Sequence, residues 1–450
     1  MARARIVVAT IVVACAAWVV PTSPALSLGT PYLVRDINPT GSSSLTELTD
    51  LNGTLFFSAY EGTHGQQLWE SNGTMGGTLL VPRDSNSDPD ASIPSELTNV
   101  NGTLFFAARS GDGAPELWRT DPAAGSVMIQ LFCCESDSWV RDLTALDGRL
   151  LFIWNDTGED LSLQRSDGTV GTTVQVKDFG DAFVSGLTRV GNSIFLYTYD
   201  NQTGVTLWIS DGTGAGTHPV RRFAGALPLK APTAFRGRLF FSIDDGAHGW
   251  ELWKSDGTRA GTALVKDLRV GGRGSHPLGF AKMIGTLFFS ANDGVRGREL
   301  WRTDGTRAGT SRVKDIHRGL SGSRPGGITN LGGTVLFAAN DGRRGRELWR
   351  SDGTRTGTVL VANIRPGAEG SHPGALAAVG ATLLFSANDG SHGREPWRSD
   401  GTKAGTSLVA DINPEAASST PEGFRASGSL VFFSADDGTH GRELWAMPLS

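Results

Sequence analysis

Residues 298–310 read RELWRTDGTRAGT, residues 346–358 read RELWRSDGTRTGT, and residues 394–406 read REPWRSDGTKAGT. Near-identical segments at a fixed 48-residue interval describe a supersecondary unit that cannot bury its apolar surface alone and stacks on copies of itself. One full unit, residues 278–316, holds four runs of strand-forming residues: 278–284, LFFSA (287–291), RELWRT (298–303) and TSRVKDI (310–316). Turn chemistry separates them at Gly285-Thr286, at Asn292-Asp293-Gly294 and at Asp304-Gly305-Thr306. No segment carries a helical period. In LFFSA, Leu287, Phe289 and Ala291 point one way and Phe288 the other, and in RELWRT, Leu300 opposes Trp301. A small sheet that is apolar on both faces needs a neighbour on each side. Radial packing about an axis supplies one, so the expected fold is an all-β propeller of four-stranded blades.

The third-strand tryptophan counts the units. It falls at Trp69, Trp118, Trp208, Trp253, Trp301, Trp349, Trp397 and Trp445, with Gln164 in its place in LSLQRSDGT. The count is nine units at spacings of 44 to 49 residues. The alternatives are eight blades with one irregular unit displaced, or two smaller rings. Closure is expected from the ends. PYLVRDI (31–37) reads as a fourth strand with no first three before it, and RELWAMPLS (442–450) as a third strand with no fourth after it. The N-terminal strand should therefore complete the last blade, where an open solenoid would need capping repeats.

The first 27 residues differ from the rest. Basic MARAR, apolar IVVATIVVACAAWVV and small-residue PTSPALS read as a signal peptide (1–27) ahead of one propeller domain (28–450). Val12-Val13-Ala14-Cys15 admits a lipoprotein anchored through Cys15, and a membrane anchor is disfavoured because the apolar run is short for a spanning helix. The expected location is secreted or cell-surface, with no transmembrane segment in the mature chain and a monomeric state. A formal net charge of −5 gives no electrostatic reason to expect nucleic acid. The 60 glycines recur at fixed places in the repeat, which means turns. Cys133 and Cys134 are adjacent, and read as two buried thiols or as a vicinal disulfide in an oxidising compartment.

The motif stands as ELWKSDGT (251–258), ELWRTDGT (299–306) and ELWRSDGT (347–354), with weaker forms at 67–74, 207–213 and 395–402. On these residues the chain resembles the bacterial ELWxxDGT-repeat proteins over nearly its whole mature length. The resemblance implies an exported, multi-repeat protein and implies no settled activity. It is weakest in units two to four, where ELWRTDPAAGS (116–126) loses the glycine of the turn and LSLQRSDGT loses the tryptophan. The turn is also loosely similar to the Asp-box of sialidase-type propellers.

Repetition itself assigns roles. Asp256, Asp304, Asp352 and Asp400 should accept backbone N–H bonds in a tight turn, and the eight tryptophans should wedge between blades. A catalytic acid copied once per blade makes little sense. The Arg298-Glu299 pair and its copies are expected to form salt bridges. The loop between the second and third strands puts His64, His248, Arg296, Arg344, His392 and His440 at one place, as in NDGRRGRE (340–347) and DDGTHGRE (436–443). These six read as turn residues or as a polar ligand-contact ring. Calcium would find oxygens here, but the spacing does not match an EF-hand loop. Trp139 and Trp154 lie in irregular units without counterparts and complete the candidate ligand-contact residues. No nucleophile elbow, phosphate loop or zinc motif is present. The expectation is a non-catalytic binding or adhesion scaffold for a surface protein or glycan, with no cofactor. The alternative is a carbohydrate-active enzyme with its site at the axial channel, recognisable by one unrepeated acidic cluster.

Overall fold

The computed structural model describes residues 28–82, 93–110, 113–121, 125–132, 138–156 and 160–449. The expected signal peptide (1–27) with Cys15, and Cys133 and Cys134, lie outside the described residues. Among those described there is no helix, and hence none long and apolar enough to cross a membrane.

The strands form nine four-stranded antiparallel sheets. Blades 1 to 9 span residues 46–80, 95–131, 139–178, 183–223, 230–266, 278–312, 326–362, 374–408 and 422–448. Blade 6 shows the rule: Leu278–Met283, Thr286–Asn292, Arg298–Thr303 and Ser311–Arg312 pair in chain order. Blade 9 has only three strands of its own. Its fourth is Tyr32–Arg35 from the N-terminus, with Leu33 opposite Trp445 and Tyr32 opposite Ala446. First strands of adjacent blades touch all the way round, including blade 9 against blade 1, so the ring is closed with these strands innermost. The count is nine, and the alternatives of eight blades or two rings do not hold.

Each seam between blades is one apolar cluster, and there are nine. At the seam of blades 5 and 6, Leu287, Phe289, Ala291 and Trp301 of blade 6 meet Phe240, Leu252 and Val265 of blade 5. The opposite face of blade 6, with Phe288 and Leu300, meets Phe337 and Trp349 of blade 7. The alternation read from LFFSA and RELWRT is therefore the alternation of the two seams. Where Gln164 replaces tryptophan, its side chain is buried and donates to Ser162 Oγ at 2.8 Å. Trp154 supplies the missing ring instead, 5.0 Å from Phe132 in the seam of blades 2 and 3.

The meander sorts the connections by face. Turns between strands one and two, and between three and four, lie on one face, here called lower. Loops between strands two and three, and the crossings to the next blade, lie on the upper face.

Candidate functional site

The lower-face turn is a self-contained hydrogen-bonded device. In blade 6 the Asp304 carboxylate accepts from Thr306 N and Oγ1, both at 2.7 Å. Thr303 Oγ accepts from Gly305 N, and Thr306 Oγ1 accepts from Gly309 N. Asp256, Asp352 and Asp400 repeat the pattern. In each, one carboxylate oxygen is committed to its own turn.

The glutamate of ELWxxDGT has a different job from the expected salt bridge. Glu299, Glu347, Glu395 and Glu443 are fully buried. Glu299 accepts backbone N–H bonds from Ile316, His317 and Ser323 and a hydroxyl bond from Ser323. The motif's carboxylate thus folds the crossing to the next blade, satisfying donors that no strand can. Arg298 beside it donates to the carbonyls of His276 and Ser290 and leaves Glu299 alone. Glu443 binds Ile37 N and Asn38 N, so the same contact latches the N-terminal strand. Burial raises all these carboxyls, Glu251 and Glu443 to about 7.

The six loop residues are brought into one arc. They stand on blades 5 to 9 and blade 1, contiguous only because the ring closes. Each pairs with an acid three residues before it: His248 with Asp245, His392 with Asp389 and His440 with Asp437, all at 2.8 Å. Arg344 pairs with Asp341 at 2.6 Å, Arg296 reaches both Asp293 and Asp315, and His64 meets Glu61. The hydrogen bond to its aspartate raises each of His248, His392 and His440 above its ordinary range. Asp245 Oδ1 also accepts the N–H groups of Ala247 and His248. These oxygens are committed inside the loop, and among the described residues no group of three His, Cys, Asp or Glu is placed to hold a metal. In blades 5 to 8 the glycine after the His or Arg is required by contact: a methyl on Gly297 would overlap Leu320 O and Gly322 N of the crossing, whereas Gly65 in blade 1 has open space there.

What does not repeat lies in blades 1 to 4. Every first strand carries a bulge at one place, with its residue at positive φ. Blades 4 to 9 fill it with Gly186, Ala231, Gly279, Gly327, Ala375 and Gly423; blades 1 to 3 fill it with Glu47, Glu96 and Asp142, at φ of 61°, 59° and 57°. Acids in a region that disfavours side chains are explained by their bonds. Glu47 accepts Leu97 N at 3.3 Å, and Asp142 accepts Gly186 N at 2.7 Å and Ser185 Oγ at 3.0 Å. Each acid thereby caps the bulge of the next blade along the channel wall. Burial, then the neighbouring charge of Asp142, raises the Glu96 carboxyl. Sequence reading missed this arc. Its signal is present as Glu47-Leu48-Thr49, Glu96-Leu97-Thr98 and Asp142-Leu143-Thr144 against Gly186-Leu187-Thr188, and needs alignment on the least regular strand.

Beside this arc, at the upper mouth of the channel, aromatic rings collect. The Arg141 guanidinium lies 3.8 Å from the Trp139 ring centre and 4.6 Å from that of Phe183, held by a bond to Val184 O. Phe183 is 38% exposed. It opens onto a cavity of about 690 Å³ lined by Asp181, Phe183, Tyr199, Asp200, Asn201 and Gln202. Tyr199 Oη donates to Asn201 Oδ1 at 2.5 Å, which fixes the ring. Of the two irregular tryptophans, Trp139 therefore joins the cavity's supporting wall. Trp154 packs in a seam, with its indole nitrogen buried and unpartnered.

Fold and site together define a closed nine-bladed β-propeller with a polar arc on blades 5 to 9 and 1 and an aromatic, acidic sector on blades 1 to 4. No family model matches the chain, and no curated protein matches it in sequence. Among solved structures it is similar to a prolyl endopeptidase (13% identity, 79% of this chain and 55% of that one, TM-score 0.46). It is also similar to prolyl oligopeptidase B from Galerina marginata (12%, 81% and 55%, TM-score 0.42). A third is the β-propeller domain of the Trilobed protease from Pyrococcus furiosus (14%, 69% and 95%, TM-score 0.37). The chain spans little more than half the length of the two peptidases. Peptidase activity is said of those proteins.

Proposed function

We propose that this protein is an exported, monomeric binding scaffold that holds a glycan at the upper channel mouth of blades 3 and 4, without turning it over. The observation that carries this reading is the cavity beside Phe183 and Tyr199. It offers two aromatic faces next to carboxylate and amide groups from Asp181, Asp200, Asn201 and Gln202. Sugars present apolar C–H faces and a rim of hydroxyls, and this combination meets both. An aromatic at the start of the first strand and a tyrosine at the end of the second meet only in blade 4, as Phe183 and Tyr199, whereas the charged loops are copied six times and paired internally. Titration of neutral and acidic oligosaccharides by calorimetry tests it. Phe183→Ala and Tyr199→Ala should each weaken binding by at least about tenfold with folding unchanged; equal affinity in both variants refutes the reading.

A second reading, a carbohydrate-active enzyme, is supported by the channel acids. Burial and the charge of Asp142 raise the Glu96 carboxyl above its ordinary range, as suits a general acid beside a second carboxyl. Turnover of any polysaccharide, lost in Glu96→Gln, would favour it over the scaffold.

A further inference from the structure

The repeat writes a basic–acidic pair in its fourth strand: Arg35-Asp36, Lys177-Asp178, Lys266-Asp267 and Lys314-Asp315. The first member reaches across the seam to a backbone carbonyl of the next blade. Arg35 Nη1 donates to Thr78 O, Lys266 Nζ to Thr310 O and Lys314 Nζ to Thr358 O. In blade 4 the pair is Arg221-Arg222. Arg221 keeps the shared role, donating to Thr262 O at 2.8 Å with its guanidinium 4.8 Å from the Trp253 ring centre. Arg222 replaces an acid with a cation. Its Nε donates to Thr203 O at 3.1 Å, and among the described residues its two terminal amino groups meet no acceptor.

These two arginines face Arg259, on the turn of blade 5, across a cleft of about 680 Å³ that also takes in His218 and Thr258. An adjoining hollow of about 620 Å³ is lined by Arg221, Arg222 and Arg259 again. Among the described residues Arg259 has no hydrogen-bond or ion-pair partner, and its side chain lines both spaces. No acid lines either space. The carboxylates around the cleft are held by their own turns: Asp200, which feels the charge of Arg222, accepts from Gln202 N, Asp211 accepts from Thr213 N and Oγ1, and Asp256 accepts from Thr258 N and Oγ1. Three guanidinium groups around a solvent-filled cleft, in a chain of net charge −5, repel one another unless an anion joins them. Their paired N–H groups match the oxygens of a carboxylate or sulfate.

We propose that this cleft between blades 4 and 5 binds the oxyanion groups of an acidic polysaccharide. The site deepens the glycan reading and rests on it, because the two spaces flank one loop: Gln202 lines the aromatic cavity and Thr203, the next residue, holds Arg222. A chain of sugars lying over that loop on the upper face and continuing down the outer strand of blade 4 would place rings against Phe183 and Tyr199 and charges against Arg222 and then, at the lower turn, Arg259.

The test uses substitutions taken from the chain's own repeats. Arg222→Asp restores the basic–acidic pair of blades 3, 5, 6 and 9, and Arg259→Gly copies Gly214, which holds that place in blade 4. Calorimetry compares polygalacturonate (carboxylate), heparin (sulfate) and a neutral β-glucan oligosaccharide against the intact protein, the double variant and Phe183→Ala, with circular dichroism confirming folding. The expected result is binding of one acidic polymer that weakens as salt rises and falls by roughly tenfold or more in the double variant. Phe183→Ala should weaken it as well. Whichever of polygalacturonate and heparin binds tighter identifies the oxyanion. Unchanged acidic-polymer affinity in the double variant overturns the cleft. If Phe183→Ala still weakens binding there, the glycan reading stands without it. Loss in the double variant with none in Phe183→Ala supports the cleft and overturns the aromatic cavity. Binding of no polymer overturns both.

Discussion

Gly309 tests whether the DGT turn works as described. It does not occupy the left-handed region, so its backbone does not demand glycine. What excludes a side chain is the Asp304 carboxylate, which fills the space a Cβ would take. Alanine at 309 must push that carboxylate out of its bonds to Thr306 N and Oγ1, both now 2.7 Å long. At the low end of hydrogen-bond contributions, suited to an exposed turn, the loss is about 1.5 kcal/mol. Unfolding entropy for a chain of this size is roughly 0.9 kcal/mol per degree, so one substitution lowers the Tm by only about 1–2 °C. The same overlap exists at Gly261, Gly357 and Gly405 with Asp256, Asp352 and Asp400. These sites lie in separate blades and should add, giving about 6 °C for the four together. The decisive measurement is a double-mutant cycle by thermal unfolding. In a background carrying Ala at Asp256, Asp304, Asp352 and Asp400, the four glycine substitutions should cost almost nothing, because the obstructing groups are gone. An equal Tm loss in both backgrounds would show that glycine is needed there for some other reason and would refute the steric argument.

Three further outcomes follow from the seams, the latch and the buried glutamates. Trp301→Ala should destabilise by about 3–5 kcal/mol, and the exposed-turn change Thr306→Ala by about 1 kcal/mol, in equilibrium unfolding; equal costs would mean that the seam does not carry the fold. Removing residues 28–38 should leave the outer edge of the Arg442–Pro448 strand unpaired and produce concentration-dependent association in light scattering, since an open sheet edge pairs with other chains; a monomeric, equally stable product would contradict the latch. Burial holds Glu251 and Glu443 at about 7, above the unfolded value near 4.3, so the folded chain binds more protons in that window. The stability they contribute is complete below about pH 4 and is lost as pH rises through 7, and a Glu251→Gln/Glu443→Gln variant should show a flatter Tm between pH 5 and pH 8.

The periodic residues determined the architecture by themselves. Trp301 and Leu300 alternate because strands alternate. An apolar residue on each side of a sheet demands two neighbours, and that demand repeated nine times leaves a ring as its solution. Asp304 and its copies could be placed in a turn for the same reason, since their bonds run to residues two positions away. Contacts that depend on which blades become neighbours were decided only by the tertiary structure. Glu299 looked like the partner of Arg298 but is drawn to backbone N–H groups up to 24 residues on, because a buried carboxylate must be satisfied by whatever donors the crossing brings to it. Trp154 looked like a ligand residue but fills the gap that Gln164 leaves. The arc of His and Arg loops became continuous only when blade 9 met blade 1, and Glu47, Glu96 and Asp142 became one wall only when three bulges lined up along the channel. Local periodicity is written in the chain, whereas adjacency between units remote in sequence is created by ring closure.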